Sequence, residues 1–287
     1  MNLPKISIIT PTFNASKTLK ECIESVANQN YPYLEHYIID GFSTDNTLEI
    51  VKEYENINIK YISEKDNGIF DAMNKGIILA TGDFLLFLGA DDVLSENIVA
   101  NITQKINFND FDLVYGKVKY PDYECGREYK KEYLTDELKI SPFIHLFMHH
   151  QGTFIRKKLF DMFGTYDLKY PIGADVHFFI KTINQTEVKK QFVDIIVAQV
   201  GADGISGQIE ELQLREDFPE LAKRHLAIDI DKQKYYRNFA KYYFDEIKNK
   251  NLKKGIKGII KIISAQGDFL YYLKNTLYYL KQRITQK

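Results

Sequence analysis

Asp83-Phe84-Leu85-Leu86-Phe87-Leu88-Gly89-Ala90-Asp91-Asp92 decides the fold, because an almost wholly apolar run ends abruptly in two adjacent carboxylates. A short apolar segment bounded by glycine reads as a strand covered on both faces, as in a parallel sheet. In open α/β sheets ligands bind beyond the carboxyl ends of the strands, which is where Asp91 and Asp92 emerge. Two hard oxygen ligands at that place suit Mg²⁺ or Mn²⁺ held jointly with a phosphate. The competing reading is that one of the two caps a helix beginning near Val93, and the pair alone does not choose.

On the amino-terminal side the pattern alternates. Residues 5–10 read as a buried strand, broken into a loop by Pro11-Thr12-Phe13-Asn14, and a helix follows with Ser16 as N-cap and Leu19, Ile23 and Val26 on its apolar face. Residues 37–40 and 57–62 read as strands, 47–54 and 68–79 as helices. Such alternation means right-handed βαβ units and a largely parallel, Rossmann-like sheet, so the predicted class is α/β. Thr12, Asp40, Asp66, Asp91 and Asp92 each fall at or just beyond a strand's carboxyl end, the expected address of one shared site.

After Asn97 the alternation weakens. Residues 111–118, 152–155 and 191–200 read as strands, and 157–163, 174–183 and 210–227 as helices. Gly201-Ala-Asp-Gly-Ile-Ser-Gly207 reads as a mobile loop. The expected division is a catalytic domain over 1–207, with a nucleotide-binding half over 1–97 and an acceptor half over 98–207, and a helical extension over 208–287.

Composition bounds the class. The 287 residues are 45% apolar and 27% charged with a net charge of −1, which reads as a soluble globular chain able to bury a full core. The balance is uneven: residues 228–287 hold fourteen Lys/Arg against five Asp/Glu, leaving twenty-four against thirty-four in residues 1–227. A basic tail on an acidic body implies a partner for the tail. Cys22 and Cys125 form no metal or redox spacing, which fits a reducing cytoplasm. Residues 6–10 are too short an apolar stretch for a signal peptide, and no run reaches the ~18 apolar residues of a spanning helix.

Four motifs carry the chemistry: Ile9-Thr-Pro-Thr-Phe-Asn14, Ile39-Asp-Gly-Phe-Ser-Thr-Asp-Asn-Thr47, Ser63-Glu-Lys-Asp-Asn-Gly-Ile-Phe-Asp-Ala-Met-Asn-Lys-Gly76 and Gly89-Ala-Asp-Asp92. There is no glycine fingerprint for dinucleotides and no phosphate-loop lysine motif. Over roughly residues 4–205 the chain resembles the family 2 glycosyltransferases with the GT-A fold, and is most similar to bacterial enzymes of capsule, O-antigen and exopolysaccharide assembly. The resemblance implies an inverting, metal-dependent transfer of a sugar from a nucleotide-sugar, UDP-linked, to a hydroxyl of a saccharide or lipid-linked saccharide acceptor.

By that resemblance Asp40 takes the imide hydrogen of uracil, Pro11, Thr12 and Asn14 approach the nucleoside, and Asp71 and Asn74 face the nucleotide side, with Asp66 a further candidate contact. The rival roles are a turn residue before Gly41 for Asp40, and the cap of the helix after Asn67-Gly68 for one of Asp66 and Asp71. Asp91 and Asp92 match the metal-binding acidic motif, written Asp-any-Asp in the family. Here Gly89 or Ala90 holds the first position, so Asp92 is expected to touch Mn²⁺ or Mg²⁺ and Asp91 the ribose or a metal-bound water. Asp175, in Gly173-Ala-Asp-Val-His-Phe-Phe179, matches the carboxylate that opens a helix toward the acceptor and serves as base. Helix N-cap is its rival role. His150 and Gln151 line the acceptor side. Asp45 and Thr47 read as turn and cap residues, Lys75 as a solvated helix residue or an offset for phosphate charge, and Arg156 as a phosphate contact or a surface charge.

In the tail, Ile256, Ile259, Ile260 and Ile263, then Leu273, Leu277, Leu280 and Ile284, recur at helical spacing with lysines between. Such a segment lies on an anionic membrane surface or packs on its own protein. The expected location is the cytoplasm, with peripheral contact at the inner face of the cell membrane. A non-catalytic nucleotide-sugar-binding subunit would lack a base or a metal carboxylate. A nucleotidyltransferase would need a basic Gly-rich loop where Pro11-Thr12-Phe13-Asn14 stands. Nucleic acid is not an expected partner, since the basic residues form no recognisable binding module.

Overall fold

Both faces of the apolar run are covered: Phe84, Leu85, Leu86, Phe87 and Leu88 are all inaccessible to solvent. The computed structural model describes residues 3–54, 59–130, 148–201 and 212–232, with scattered positions from 235 to 277. The elements β1 (Ile6–Thr12), α1 (Leu19–Ala27), β2 (Leu34–Asp40), α2 (Thr47–Glu53), β3 (Ile59–Ser63), α3 (Ile69–Leu79) and β4 (Phe84–Phe87) alternate strictly. They are followed by β5 (Val93–Leu94), α4 (Ile98–Lys105), β6 (Leu113–Lys119), β7 (Glu124–Cys125), β8 (Thr153–Arg156), α5 (Lys158–Phe163), α6 (Ala174–Thr182), β9 (Lys190–Gln199) and α7 (Leu212–Leu221).

Among the described residues, all nine strands join one sheet in the order β3-β2-β1-β4-β8-β6-β9-β5, with β7 paired to β6. Strands β1 to β4 are mutually parallel, β8 runs antiparallel to both β4 and β6, and β9 runs parallel to β6. Six strands therefore point the same way. Because β2 and β4 flank β1 on opposite sides, the chain changes direction there, and the crevice beyond β1 and β4 is where such sheets bind ligands.

One core lies between the sheet and helices α1 and α4, built from Ile6, Ile8, Cys22, Val26, Leu86, Ile98, Ile102, Phe154 and Val197. On the other face, α3 packs so closely that a Cβ on Gly76 would sit 2.4 Å from Ile9 Cγ2. There Phe87, Phe160, Tyr166 and Phe178 interlock, with Phe160 and Phe178 stacked 4.5 Å apart.

Three local expectations are corrected. No helix begins near Val93; Val93 and Leu94 form β5, opposite Gln199 and Ala198, and α4 starts only at Ile98. Pro11 and Thr12 do not break β1 but extend it beside Ile39 and Asp40. The missing N–H of Pro11 points toward β4, whose pairing with β1 ends at Phe87, so no ladder bond is lost. Ser16 is not the N-cap of α1, which begins at Leu19; the Ser16 N–H is instead taken by Asp45 Oδ2 at 3.1 Å.

The chain divides into two compact units, one of Met1–Lys131 with Phe143–Leu214 and the other of Glu132–Pro142 with Arg215–Lys287. In the second unit Tyr235, Tyr236, Tyr243, Phe244, Ile259 and Tyr272 are buried, while Ile260 and Leu277 are exposed. Among the described residues no helix is long and apolar enough to cross a membrane. The predicted loop over 202–207, and Ile263, Leu273, Leu280 and Ile284, lie outside the described residues.

At the amino ends of the strands, Glu35 is nearly buried and accepts from Ser7 Oγ (2.5 Å), Lys60 Nζ (3.0 Å) and Thr81 N (2.8 Å), with Lys5 Nζ at 2.9 Å. Burial alone would raise this carboxyl, but those donors outweigh it and hold it at about 2. A depressed carboxyl stabilises the fold above its ordinary value of about 4.3, and that contribution is lost as pH falls through about 2. In Glu35→Gln, urea midpoints will fall at pH 7 but change less than wild type between pH 4.5 and 2. Parallel pH profiles in the two proteins would refute this.

Candidate active site

Asp40 ends β2 and is fully buried. Its carboxylate accepts the Ser43 N–H (3.1 Å) and the hydroxyls of Ser43 (2.5 Å) and Ser63 (2.6 Å), so it knots the β2 loop to β3. Asn14 binds the same loop from β1, its N–H to Ser43 Oγ and its Oδ1 accepting the Thr44 N–H, both at 2.8 Å. Asp45 holds the loop's far side; burial would raise it, but hydrogen bonds from Thr47 and Ser16 bring it to about 2. Asp66 lies against this knot, since a Cβ on Gly41 would collide with its carboxylate. Two aromatic side chains stand out from these loops, Phe13 at 63% exposure and Phe42 at 55% with φ +68°.

Asp71 ties down the turn that leads into α3. Its Oδ2 accepts the Asn67 N–H at 2.8 Å, just ahead of α3. Asn74 clamps the backbone of Tyr166 in both directions, at 2.8 and 2.9 Å. Lys75 pairs with Glu64 at 2.9 Å and donates to the Lys65 carbonyl. Arg156 donates to the carbonyls of Phe108 and Phe111, pairs with Asp112 and covers the Phe84 ring, far from a role as a surface charge.

Beyond β4 two glycines border both carboxylates and hydrogen-bond one of them. Asp92 is 2% exposed; its Oδ2 accepts the Gly89 N–H (2.8 Å) and its Oδ1 the Gly201 N–H (2.9 Å). With no helix at Val93, capping is not what Asp92 does. A Cβ at Gly89 would lie 2.7 Å from Asp92 Oδ2 and 3.0 Å from Asp91 Oδ1, and one at Gly201 would overlap Asp91. The pair therefore needs small neighbours on both sides.

Asp175 is the second residue of α6, whose N-cap is Gly173 at φ +83°, so Asp175 is free of the capping role. It faces the short turn His150–Gly152, and His150 Nδ1 lies 2.8 Å from Asp175 Oδ2. Burial lowers the His150 imidazole, but the hydrogen bond and charge of Asp175, with Asp92 behind, more than reverse this and raise it above its ordinary value. Gln151 sits half-buried in the same turn. The structure thus joins His150, Asp175 and Asp92 in one neighbourhood, and Pro11, Thr12, Asn14, Asp40 and Asp66 in another, both at the carboxyl ends of the strands.

Residues 7–164 match the sequence profile of glycosyl transferase family 2. The chain belongs to that family. A PGL/p-HBAD biosynthesis glycosyltransferase of Mycobacterium tuberculosis is 34% identical over 227 residues, 76% of this chain and 86% of the relative. Among solved structures, Staphylococcus aureus TarS 1–349 in complex with UDP-GlcNAc superposes with a TM-score of 0.63 at 19% identity, covering 97% of this chain and 90% of that one. The mannosyltransferase PcManGT of Pyrobaculum calidifontis, in complex with GDP-Man and Mn²⁺, gives 0.57 at 16%, covering 99% and 86%. This family 2 glycosyltransferase accordingly has the GT-A fold.

In this glycosyltransferase no group of three or more His, Cys, Asp or Glu side chains forms a self-contained cation site among the described residues. Two adjacent carboxylates nonetheless fit a hard divalent cation completed by a ligand's phosphate oxygens and water. Asp92 has lone pairs left after its two N–H contacts. Sequence reasoning missed Gly201 and Tyr120. Gly201 was readable only as the start of a Gly-rich stretch. Tyr120 is one tyrosine among twenty, yet the charges of Asp92 and Asp175 reach it, adding to the burial that pushes its phenol up.

Proposed function

We propose that the protein transfers a sugar, with inversion, from a UDP-sugar to a hydroxyl of a saccharide or lipid-linked saccharide in the synthesis of a surface polysaccharide. The observation that carries this reading is the 2.8 Å contact between His150 and Asp175 within reach of the charge of Asp92. A base and an acidic pair beyond one sheet's strand ends are what the reaction needs.

In the proposed step, Asp175 takes the proton of the acceptor hydroxyl as its oxygen attacks the anomeric carbon from the face opposite the diphosphate. The anomeric C–O bond breaks and its electrons leave with the diphosphate. His150 keeps Asp175 in place. Asp91 and Asp92 would hold Mn²⁺ or Mg²⁺, which when bound stabilises the charge growing on the leaving group. Asp40 would take the uracil imide hydrogen with a lone pair left over from Ser43 and Ser63. Pro11, Thr12, Asn14 and Asp66 would wall the nucleoside pocket, and Gln151 the acceptor side.

The basic tail supports peripheral contact with an anionic membrane, where a lipid-linked acceptor resides, from the cytoplasmic side. The test is a screen of UDP-, GDP- and dTDP-sugars for Mn²⁺-dependent hydrolysis and thermal stabilisation. A UDP-sugar is expected to be hydrolysed slowly and to raise the melting temperature by several degrees. Stabilisation without hydrolysis would favour a binding subunit, and no response to any donor would overturn the reading.

A further inference from the structure

The β6–β7 hairpin carries two tyrosines that the proposed chemistry does not use. The rings of Tyr120 and Tyr123 stack face to face, 4.7 Å apart with 12° between their planes. Their backbones close the hairpin, Tyr120 N–H donating to the Tyr123 carbonyl at 2.8 Å. Tyr120 is the inner member. Its ring meets His149 at 5.9 Å, nearly edge-on, and His149 precedes the residue that holds Asp175. The residue before it, Lys119, accepts the Val200 N–H, one position ahead of the Gly201 that ties down Asp92.

Tyr123 is the outer member and is 59% exposed. The stack therefore runs from the wall of the acidic centre to solvent. A cross-strand aromatic pair supports a hairpin by roughly 0.2–1 kcal/mol, which accounts for the inner ring. It does not account for the bare outer face of Tyr123, with Pro121, Asp122 and Glu124 exposed around it.

An aromatic face is electron-rich, so it attracts groups that present a flat array of weakly positive hydrogens. One face of a pyranose ring is such an array, and its hydroxyls match the carboxylates of Asp122 and Glu124 as acceptors. We infer that the stacked Tyr120–Tyr123 pair is a platform for a pyranose ring of the acceptor, laid with its C–H face on Tyr123. The inference rests on the glycosyl-transfer reading, and it makes the acceptor a saccharide already carrying at least one ring, rather than a bare lipid alcohol.

The chain contains no tryptophan, so Tyr123→Trp introduces its sole indole at the exposed position. That variant, saturated with UDP, is titrated with methyl β-glucopyranoside, methyl β-galactopyranoside and methyl β-N-acetylglucosaminide, with acyclic sorbitol as control. At least one glycoside is expected to shift the indole emission saturably while sorbitol leaves it unchanged. Adding Tyr120→Ala is expected to weaken that glycoside at least fivefold. A failure of all three glycosides, or an equal response to sorbitol, would overturn the platform. UDP binding by the wild-type protein is measured in parallel; its absence would sink the UDP-donor reading, while the indole response to the glycosides still judges the platform.

Discussion

Asp175→Asn is expected to lower sugar transfer by ~10³-fold while leaving UDP affinity within twofold of wild type, because general-base removal costs about 10²–10⁴ in rate. The substitution is nearly isosteric. An amide oxygen can still accept from His150 Nδ1, as Asp175 Oδ2 does at 2.8 Å, so the first turn of α6 keeps its anchor. What is lost is the capacity to take a proton. The proposed nucleoside pocket is built on other hydrogen bonds, from Ser43 to Asp40 and from Thr44 to Asn14, so donor binding is expected to hold. Rates measured at saturating donor and acceptor, with UDP binding by calorimetry, check both halves. Wild-type turnover in this variant would refute the base assignment.

The same residue shows what was legible in the sequence. Asp175 and His150 were both readable as site residues, but nothing in a separation of twenty-five positions says that they touch; that required β8 and α6 to be packed. The alternation through β4 was legible because full burial on both faces leaves continuous apolar runs, and residues 84–88 are such a run, with residues 6–9 interrupted only by Ser7. The end of β1 was misread for a local reason. Proline is a general breaker, and its place here depends on β4 stopping at Phe87, which is a fact about a partner strand. Two-residue strands such as β5 and β7 have no periodicity to read. Arg156 shows the limit for charges: its guanidinium caps the carbonyls of Phe108 and Phe111, a tertiary contact with no local signature.

Asp92→Asn is the second large effect, and here stability and activity fall together. The two Asp92 oxygens accept from two separate backbone donors, Gly89 N–H and Gly201 N–H. An asparagine offers one oxygen, so its amide hydrogens must face one of those donors at a 2% exposed position. An unsatisfied buried donor costs about 1–3 kcal/mol, and the melting temperature is expected to drop by several degrees. Transfer should fall by ~10² or more, since the proposed cation, whose stabilisation of the leaving diphosphate is worth several kcal/mol in the transition state, would lose a ligand. Gly201→Ala separates the two consequences, because it leaves both charges in place but drives a methyl group into Asp91. If the pair acts by geometry as well as charge, that variant loses Mn²⁺-dependent UDP affinity too, and excess Mn²⁺ restores it only in part. An unchanged Mn²⁺ dependence of UDP affinity in both Asp92→Asn and Gly201→Ala would remove Asp91 and Asp92 from the proposed cation site and return them to the role of turn residues between β4 and β5.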